Sequence, residues 1–282
     1  MLKDKVTCLI FSCDKFSDLW EGNIKPFNEN WPDRDFDTYI VTDKPTDRQI
    51  AGIGIIAAGD NVEWSDRLKF ALQYVNTDYV FVTLDDYFLI EKVDNKKMES
   101  IVELLIERQY DYIRLYPRPE RATLNQVEGY PGIYEVDIKR NYSVNLYSGF
   151  WKKDFFEFTV KDSKNAWVFE VSLHDAAIEY GARCLCSYNK DYIILDVVRK
   201  GKILHSANRY FRSHPGIYNG NRELQDRGYE IRLWWKTFLG KYVPDFLIKP
   251  AKVIYMFFGG QSISTQYNDS NLKIRNYNND KK

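Results

Sequence analysis

Two adjacent aspartates, Asp85 and Asp86, close the run Asp78–Leu89 (DYVFVTLDDYFL), a strongly apolar, β-branched and aromatic segment that stops on two carboxylates. Acids at the exit of a buried strand can do chemistry. Side by side they repel each other, and a divalent cation carrying a phosphorylated ligand is the simplest compensation. The segment Tyr79 to Leu84 reads as a strand covered on both faces, as in a parallel sheet flanked by helices. Ligands of open α/β sheets gather at the carboxyl ends of such strands, where Asp85 and Asp86 would stand. A surface turn is the alternative, since Asp favours strand ends and turns for its local hydrogen bonding.

The elements around this pair follow from periodicity. Strands are expected at Val6 to Phe11, Asp37 to Thr42, Ile53 to Ala57 and Tyr112 to Leu115. Phe16 to Asn28 is mixed and mostly helical. Ser65 is expected to cap a helix with Leu68, Ala71, Leu72 and Val75 at helical spacing, and Lys96 to Arg108 is amphipathic through Ile101, Leu104 and Leu105. This alternation predicts an α/β fold with a mainly parallel sheet and crossover helices. Arg118 to Thr159, rich in Pro, Gly and aromatics, reads as loops with short antiparallel strands around Ile133 to Val136 and Tyr142 to Leu146. A helix from about Val171 to Tyr180 ends on Gly181, suited to a left-handed cap. Strands near Arg183 to Ser187 and Tyr192 to Val198 complete the pattern.

With 282 residues the chain can bury a sizeable core. Its 40 Lys plus Arg balance 40 Asp plus Glu, which removes any general electrostatic case for a nucleic-acid partner. An anion must therefore be met locally. Cys8, Cys13, Cys184 and Cys186 lack zinc spacing and read as reduced, small apolar residues, with Cys184 and Cys186 on one strand face. The N-terminus enters a strand pattern rather than a secretory leader, and no window of about 18 uninterrupted apolar residues occurs. A cytoplasmic protein is expected, with a peripheral position at the inner face of the cell membrane as a further option.

The order of signals over roughly residues 3 to 210 resembles the nucleotide-sugar glycosyltransferases of the GT-A fold, particularly bacterial capsular and O-antigen polysaccharide transferases. In that resemblance the LIFSCDKF segment, Leu9 to Phe16, is the nucleotide loop and contributes Ser12 and Asp14. YIVTD ends at Asp43, the acid near the base, and EWSDRLKFAL supplies Arg67 for phosphate or for orienting the acidic pair. Thr83-Leu84-Asp85-Asp86 stands in place of the metal-binding acidic motif. Tyr87, not Asp, follows at the second position after Asp85, so both aspartates are assigned to the metal and nucleotide region without ranking. The resemblance implies Mn2+ or Mg2+ as cofactor.

A second match lies in AWVFEVSLHDAAIEYG, which resembles the acidic motif carrying the catalytic base of inverting members. It places Glu170 at a helix start as base, with Asp175 as the next candidate; a favourable helix N-terminal acid is the alternative for Glu170, and a solvated face for Asp175. His205 is a candidate metal ligand, His214 a weaker one, and His174 is expected on a helix surface. Trp151 and Trp167 fit either an acceptor floor or the core.

From Arg222 the composition changes to aromatics and leucines interleaved with Lys and Arg, broken by Pro244 and Pro250. This divides the chain into a catalytic domain over 1–221, a helical extension over 222–267 and a polar tail over 268–282. Trp234, Trp235, Phe238, Phe257 and Phe258 beside Arg232, Lys236, Lys241, Lys249 and Lys252 suit an interfacial membrane contact; packing against the catalytic domain or a second subunit is the alternative.

The function expected from the resemblance is transfer of a sugar, inverting, from a UDP-linked donor to a polysaccharide or lipid-linked oligosaccharide acceptor. A sugar nucleotidyltransferase is the enzyme rival, but FSCDKFSD lacks the glycine-rich, lysine-bearing loop it would need. A carbohydrate-binding or assembly protein on a transferase scaffold is the non-enzyme rival.

Overall fold

The computed structural model describes residues 1–60, 62–116, 123–140 and 142–242. In chain order the elements are β1 (Val6–Phe11), a 3-10 turn (Asp14–Leu19), α1 (Trp20–Asn30), β2 (Thr38–Thr42), β3 (Gly54–Ala57), α2 (Trp64–Leu72), β4 (Tyr79–Leu84), β5 (Tyr87–Leu89), α3 (Asn95–Glu107) and β6 (Tyr112–Arg114). They continue with β7 (Thr123–Gln126), β8 (Ile133–Val136), β9 (Gly149–Lys152), α4 (Lys153–Thr159), α5 (Ala166–Tyr180), β10 (Cys184–Ser187), β11 (Ile194–Asp196), β12 (Val198–Arg199), β13 (Lys202–Ile203), α6 (His205–Ser213) and α7 (Arg227–Tyr242).

The main sheet has the order β3-β2-β1-β4-β9-β6-β10-β8-β7. Pairings among β3, β2, β1 and β4 are parallel, whereas β9 runs antiparallel to both β4 and β6. The class is α/β, as the alternating pattern predicts. Side-chain alternation splits the core between the two sheet faces. Cys8, Ile10, Phe81, Ile113, Phe150 and Leu185 pack with α1 and α3 on one face. Leu9, Phe11, Val80, Val82, Tyr112, Trp151, Cys184 and Cys186 pack with α2, α4 and α5 on the other. Period-two alternation of a doubly covered strand requires this division, and it puts Cys184 and Cys186 together as expected. All four cysteines are free.

Several expectations need correction. Ser65 does not cap α2: Glu63 occupies the cap position, and buried Ser65 donates to the Asp162 carbonyl at 3.0 Å and accepts from Lys164 N–H at 2.7 Å. It thereby ties α2 to the loop leading into α5. Tyr142 to Leu146 is not a strand; the strand is β9, slightly later, and periodicity alone misses so short a segment beginning in Gly149. That glycine is required sterically, because a Cβ there would lie 2.2 Å from the Ile113 carbonyl oxygen. Helix α5 begins at Ala166, capped by the Asn165 side chain on Val168 N–H at 3.0 Å, and ends at Gly181 with φ 74°. Glu170 therefore sits in the second turn, not at the helix start. Among the described residues no helix is long and apolar enough to cross a membrane.

Candidate active site

Strand order reverses at β1 and β4: β2 and β3 extend the sheet to one side and β4 to the other, which makes the carboxyl ends of β1 and β4 the natural binding crevice. Ser12 follows β1 and Asp85 follows β4. The Asp85 amide donates to the Phe11 carbonyl at 3.1 Å, continuing the ladder, and the Asp85 carboxylate accepts from the Ser12 hydroxyl. Ser12 Oγ in turn accepts from Trp20 Nε1 at 2.6 Å, so α1 fixes the hydroxyl's direction. Arg67, on α2, donates to the Ser12 carbonyl at 3.0 Å. Asp43 Oδ1 accepts from the Asp14 amide at 2.6 Å and from the Thr42 hydroxyl at 3.2 Å. Burial opposes its charge, but these donors and the Arg67 field hold its carboxyl below the ordinary range. Five sequence-predicted residues, Ser12, Asp14, Asp43, Arg67 and Asp85, thus meet at the carboxyl ends of β1, β2 and β4.

The two aspartates face different surroundings. Asp85 is 7% exposed, and burial raises its pKa to about 7, with the Asp18 charge adding to the rise while the Ser12 hydrogen bond and Arg222 oppose it. Asp86 accepts the Val197 amide on its backbone carbonyl at 2.9 Å, and its side-chain Oδ1 is buried without a partner. Burial, then repulsion from Asp85 and Asp196, pushes the Asp86 carboxyl well above its ordinary range. Asn23, on α1, fixes the turn that carries them from β4 to β5, donating to the carbonyls of Asp85 at 3.1 Å and Tyr87 at 3.0 Å.

Residues not anticipated from sequence complete this region. Asp196 lies opposite Tyr87 where β11 pairs antiparallel with β5, and it forms an ion pair with Arg199. Asp18 binds Arg222 through two bonds, Nε to Oδ2 at 2.7 Å and Nη2 to Oδ1 at 2.6 Å, while Nη2 also reaches the Lys15 carbonyl at 2.7 Å. Arg222 stacks over Phe16 at 4.4 Å and clamps the turn after β1. Residues up to Gln225 are tied to the body in this way, since Gln225 Nε2 donates to the Arg199 carbonyl at 2.9 Å. Only Asn23 left a readable signal: Trp20, Asn23, Ile24 and Phe27 share one helix stripe, and an amide on an otherwise apolar stripe needs buried partners. Asp18 and Arg222 are too far apart in sequence to be paired from it.

Glu170 is half-buried on α5, and burial raises its pKa against the opposing field of Arg199. Asp175 is exposed on the same helix. His174 is half-buried rather than on the surface, its Nδ1 lying 2.9 Å from the Ile138 carbonyl. His205 opens α6 and donates its amide to Glu230 at 2.8 Å; His214 stacks on Tyr210 at 4.1 Å. Trp151 is fully buried in the core between sheet and helices, which rules out an acceptor floor for it. Among the described residues no three His, Cys, Asp or Glu side chains converge as a metal-binding group, so His205 does not join Asp85 and Asp86 in a three-ligand set. The two aspartates nevertheless suit Mg2+ or Mn2+, which take one or two carboxylates and fill the remaining positions with phosphate oxygens and water. The orphaned Asp86 Oδ1 and the raised pKa of Asp85 mark carboxylates short of positive charge.

On α7, Ile231, Trp234, Trp235 and Phe238 are exposed, and the Trp234 and Phe238 rings stack at 5.4 Å. Phe257, Phe258, Lys249, Lys252, both helix-breaking prolines and the polar tail lie outside the described residues.

No protein-family model matches the chain, and no curated protein matches it. Solved structures do. S. aureus TarS aligns at 11% identity and TM-score 0.45 over 67% of this chain, and the chain spans 36% of that protein and 59% of its 1–349 fragment. The mannosyltransferase PcManGT of Pyrobaculum calidifontis, solved with GDP-Man and Mn2+, aligns at 11% identity and TM-score 0.48 over 96% of this chain and 80% of its own. A UDP-glucose pyrophosphorylase complexed with UDP-glucose aligns at 12% identity and TM-score 0.44 over 68% of this chain and 92% of its own.

Proposed function

We propose that the chain is a glycosyltransferase that moves a sugar from a nucleoside-diphosphate donor, UDP-linked in the first instance, to a saccharide or lipid-linked saccharide acceptor. The observation that carries this is the meeting of Ser12, Asp14, Asp43, Arg67 and Asp85 at the switch point, beside an Asp86 whose Oδ1 is buried and unpartnered. Asp85 and Asp86 would hold Mn2+ or Mg2+. When bound, such an ion neutralises the charge that accumulates on a departing diphosphate. Arg67 supplies a permanent positive charge next to the β1 loop, and Asp43 with the Asp14 amide frames the nucleoside end.

Glu170 is proposed as the general base of an inverting displacement. A hydroxyl acceptor is a poor nucleophile at neutral pH, and a carboxylate takes its proton most effectively when its pKa is raised toward the working pH. Partial burial moves the Glu170 carboxyl in that direction. The exposed aromatic face of α7, with Arg232 alongside, is proposed to meet an anionic membrane where a lipid-linked acceptor would lie.

The test is product analysis with UDP- and GDP-hexoses in Mn2+, using water as the default acceptor. Release of nucleoside diphosphate and free sugar by the wild type, reduced in Asp86→Asn, is the expected result. Formation of nucleotide sugar and pyrophosphate from a nucleoside triphosphate and a sugar phosphate would identify a nucleotidyltransferase instead. Absence of either product with every donor would leave a binding protein.

A further inference from the structure

Three buried polar atoms without partners lie in one small region: Asp86 Oδ1, Asp196 Oδ1 and Arg199 Nε. Orphaned buried groups are costly, and three together mark a place where a ligand completes the hydrogen bonding. Asp86 Oδ1 is accounted for by the cation proposed above. The other two are not, and Asp196 forms no three-ligand group with Asp85 and Asp86.

The pair is mounted rigidly. Asp196 is fixed by the β11–β5 ladder opposite Tyr87, and the next residue, Val197, donates its amide to the Asp86 carbonyl. Arg199 sits on the β12–β13 hairpin, whose turn residues Lys200 and Gly201 both have positive φ, 53° and 78°, the signature of a tight two-residue hairpin turn. Gln225 clamps the Arg199 carbonyl from outside. One guanidinium nitrogen of Arg199 holds Asp196, and the Tyr87 and Tyr147 rings, stacked at 5.9 Å, lie within its electrostatic reach.

What remains unbonded is one acceptor, Asp196 Oδ1, and one donor, Arg199 Nε, on the two side chains of a single ion pair. A hydroxyl both donates and accepts, so two neighbouring hydroxyls of a sugar ring satisfy both atoms, which a phosphate, having acceptors only, does not. The location agrees. Asp196 lies opposite Tyr87, the residue after Asp86, and the amide that follows Asp196 bonds the Asp86 carbonyl, so the pair stands directly beside the proposed cation site. A sugar carried on a diphosphate held by that cation lies next to it.

We infer that Asp196 and Arg199 form the subsite that reads neighbouring hydroxyls of the donor's sugar ring, and that they determine which sugar is transferred. The inference rests on the nucleotide-sugar reading of the site. Its test compares the affinity of free UDP and GDP with that of UDP-glucose, UDP-N-acetylglucosamine and GDP-mannose, by calorimetry in Mn2+, for the wild type, Asp196→Asn and Arg199→Lys. Arg199→Lys keeps the charge and the ion pair but loses the fork.

A site built to bond hydroxyls loses at least about tenfold in affinity when a partner is removed. Both variants should therefore lose tenfold or more of the preference for the best sugar conjugate over its parent nucleotide, with affinity for the parent nucleotide retained. An unchanged preference overturns the inference, and so does an equal loss of both affinities, which would assign the pair to the diphosphate or the fold. A wild type that binds none of the five probes would instead remove the nucleotide-sugar reading itself.

Discussion

A site that keeps two carboxylates short of counter-charge should be a weak point of the metal-free protein, and Asp85→Asn measures how weak. The folded-state pKa of Asp85 is raised to about 7 from 3.8, so the folded protein binds more protons than the unfolded chain between those pH values. Stability then falls as pH rises through that window and levels off above it. Carrying that charge in the folded state above pH 7 costs about 4 kcal/mol, at 1.36 kcal/mol for each pH unit between 3.8 and about 7. Asp85 and Asp86 repel each other and share that cost, and the Ser12 hydrogen bond weakens by about 1 kcal/mol when its acceptor becomes an amide. The net gain expected for Asp85→Asn at pH 8 is about 2 kcal/mol, or roughly 4 to 8 °C in melting temperature for a domain of this size. Urea unfolding in EDTA at pH 4 and pH 8 reads it directly. The variant should match the wild type at pH 4, exceed it at pH 8 and lose the stabilisation that Mn2+ gives the wild type. A variant less stable than the wild type at pH 8, or a difference that does not change with pH, would refute the reasoning.

Glu170→Gln keeps shape but removes the proposed base, and transfer should fall by about two to four orders of magnitude while donor affinity is kept; near-normal turnover would move the role elsewhere. Gly149→Ala places a Cβ against the Ile113 carbonyl in the middle of the sheet, and thermal unfolding should show a loss of about 3 kcal/mol or more, because backbone cannot yield as a side chain can. An unperturbed melting curve would contradict the β9 register. A chain ending at Glu230 keeps the Arg222 and Gln225 clamps and the Glu230 bond to the His205 amide, and should bind UDP-sugars as the full chain does, yet fail to float with anionic liposomes for want of Trp234, Trp235 and Phe238. Full-length protein that never floats would exclude the membrane role of α7.

Strands β1, β2 and β4 were legible because each is a continuous apolar run, and burial on both faces demands that pattern. Helix α3 was legible from its spacing. Strand β9 was not, since four residues beginning in glycine carry no period, and its place between β4 and β6 depends on partners far away in sequence. Asp85 and Asp86 were legible because they close a continuous apolar strand, whereas Ser12, Asp14, Asp43 and Arg67 were singled out only through the family resemblance; the structure brings them together because the carboxyl ends of β1, β2 and β4 and the first turn of α2 lie side by side. Asp196, Arg199, Asp18 and Arg222 could not, because their meaning comes only from pairing: Asp196 gains its role from lying opposite Tyr87, and Arg222 from reaching the turn that Asp18 occupies. Glu170 was singled out through resemblance, and it falls in the second turn of α5 because the Asn165 cap starts that helix earlier than its apolar spacing indicates.

The central claim is that Asp86 and its neighbours bind a nucleotide sugar through a divalent cation. Thermal unfolding of the wild type and of Asp86→Asn, with UDP- and GDP-sugars in the presence of Mn2+ or of EDTA, tests it most directly, since a ligand that binds only the folded state raises the melting temperature. At least one nucleotide sugar should stabilise the wild type in Mn2+, EDTA should abolish the effect, and Asp86→Asn should show none. Stabilisation that is the same with and without metal, or that persists undiminished in Asp86→Asn, would contradict it.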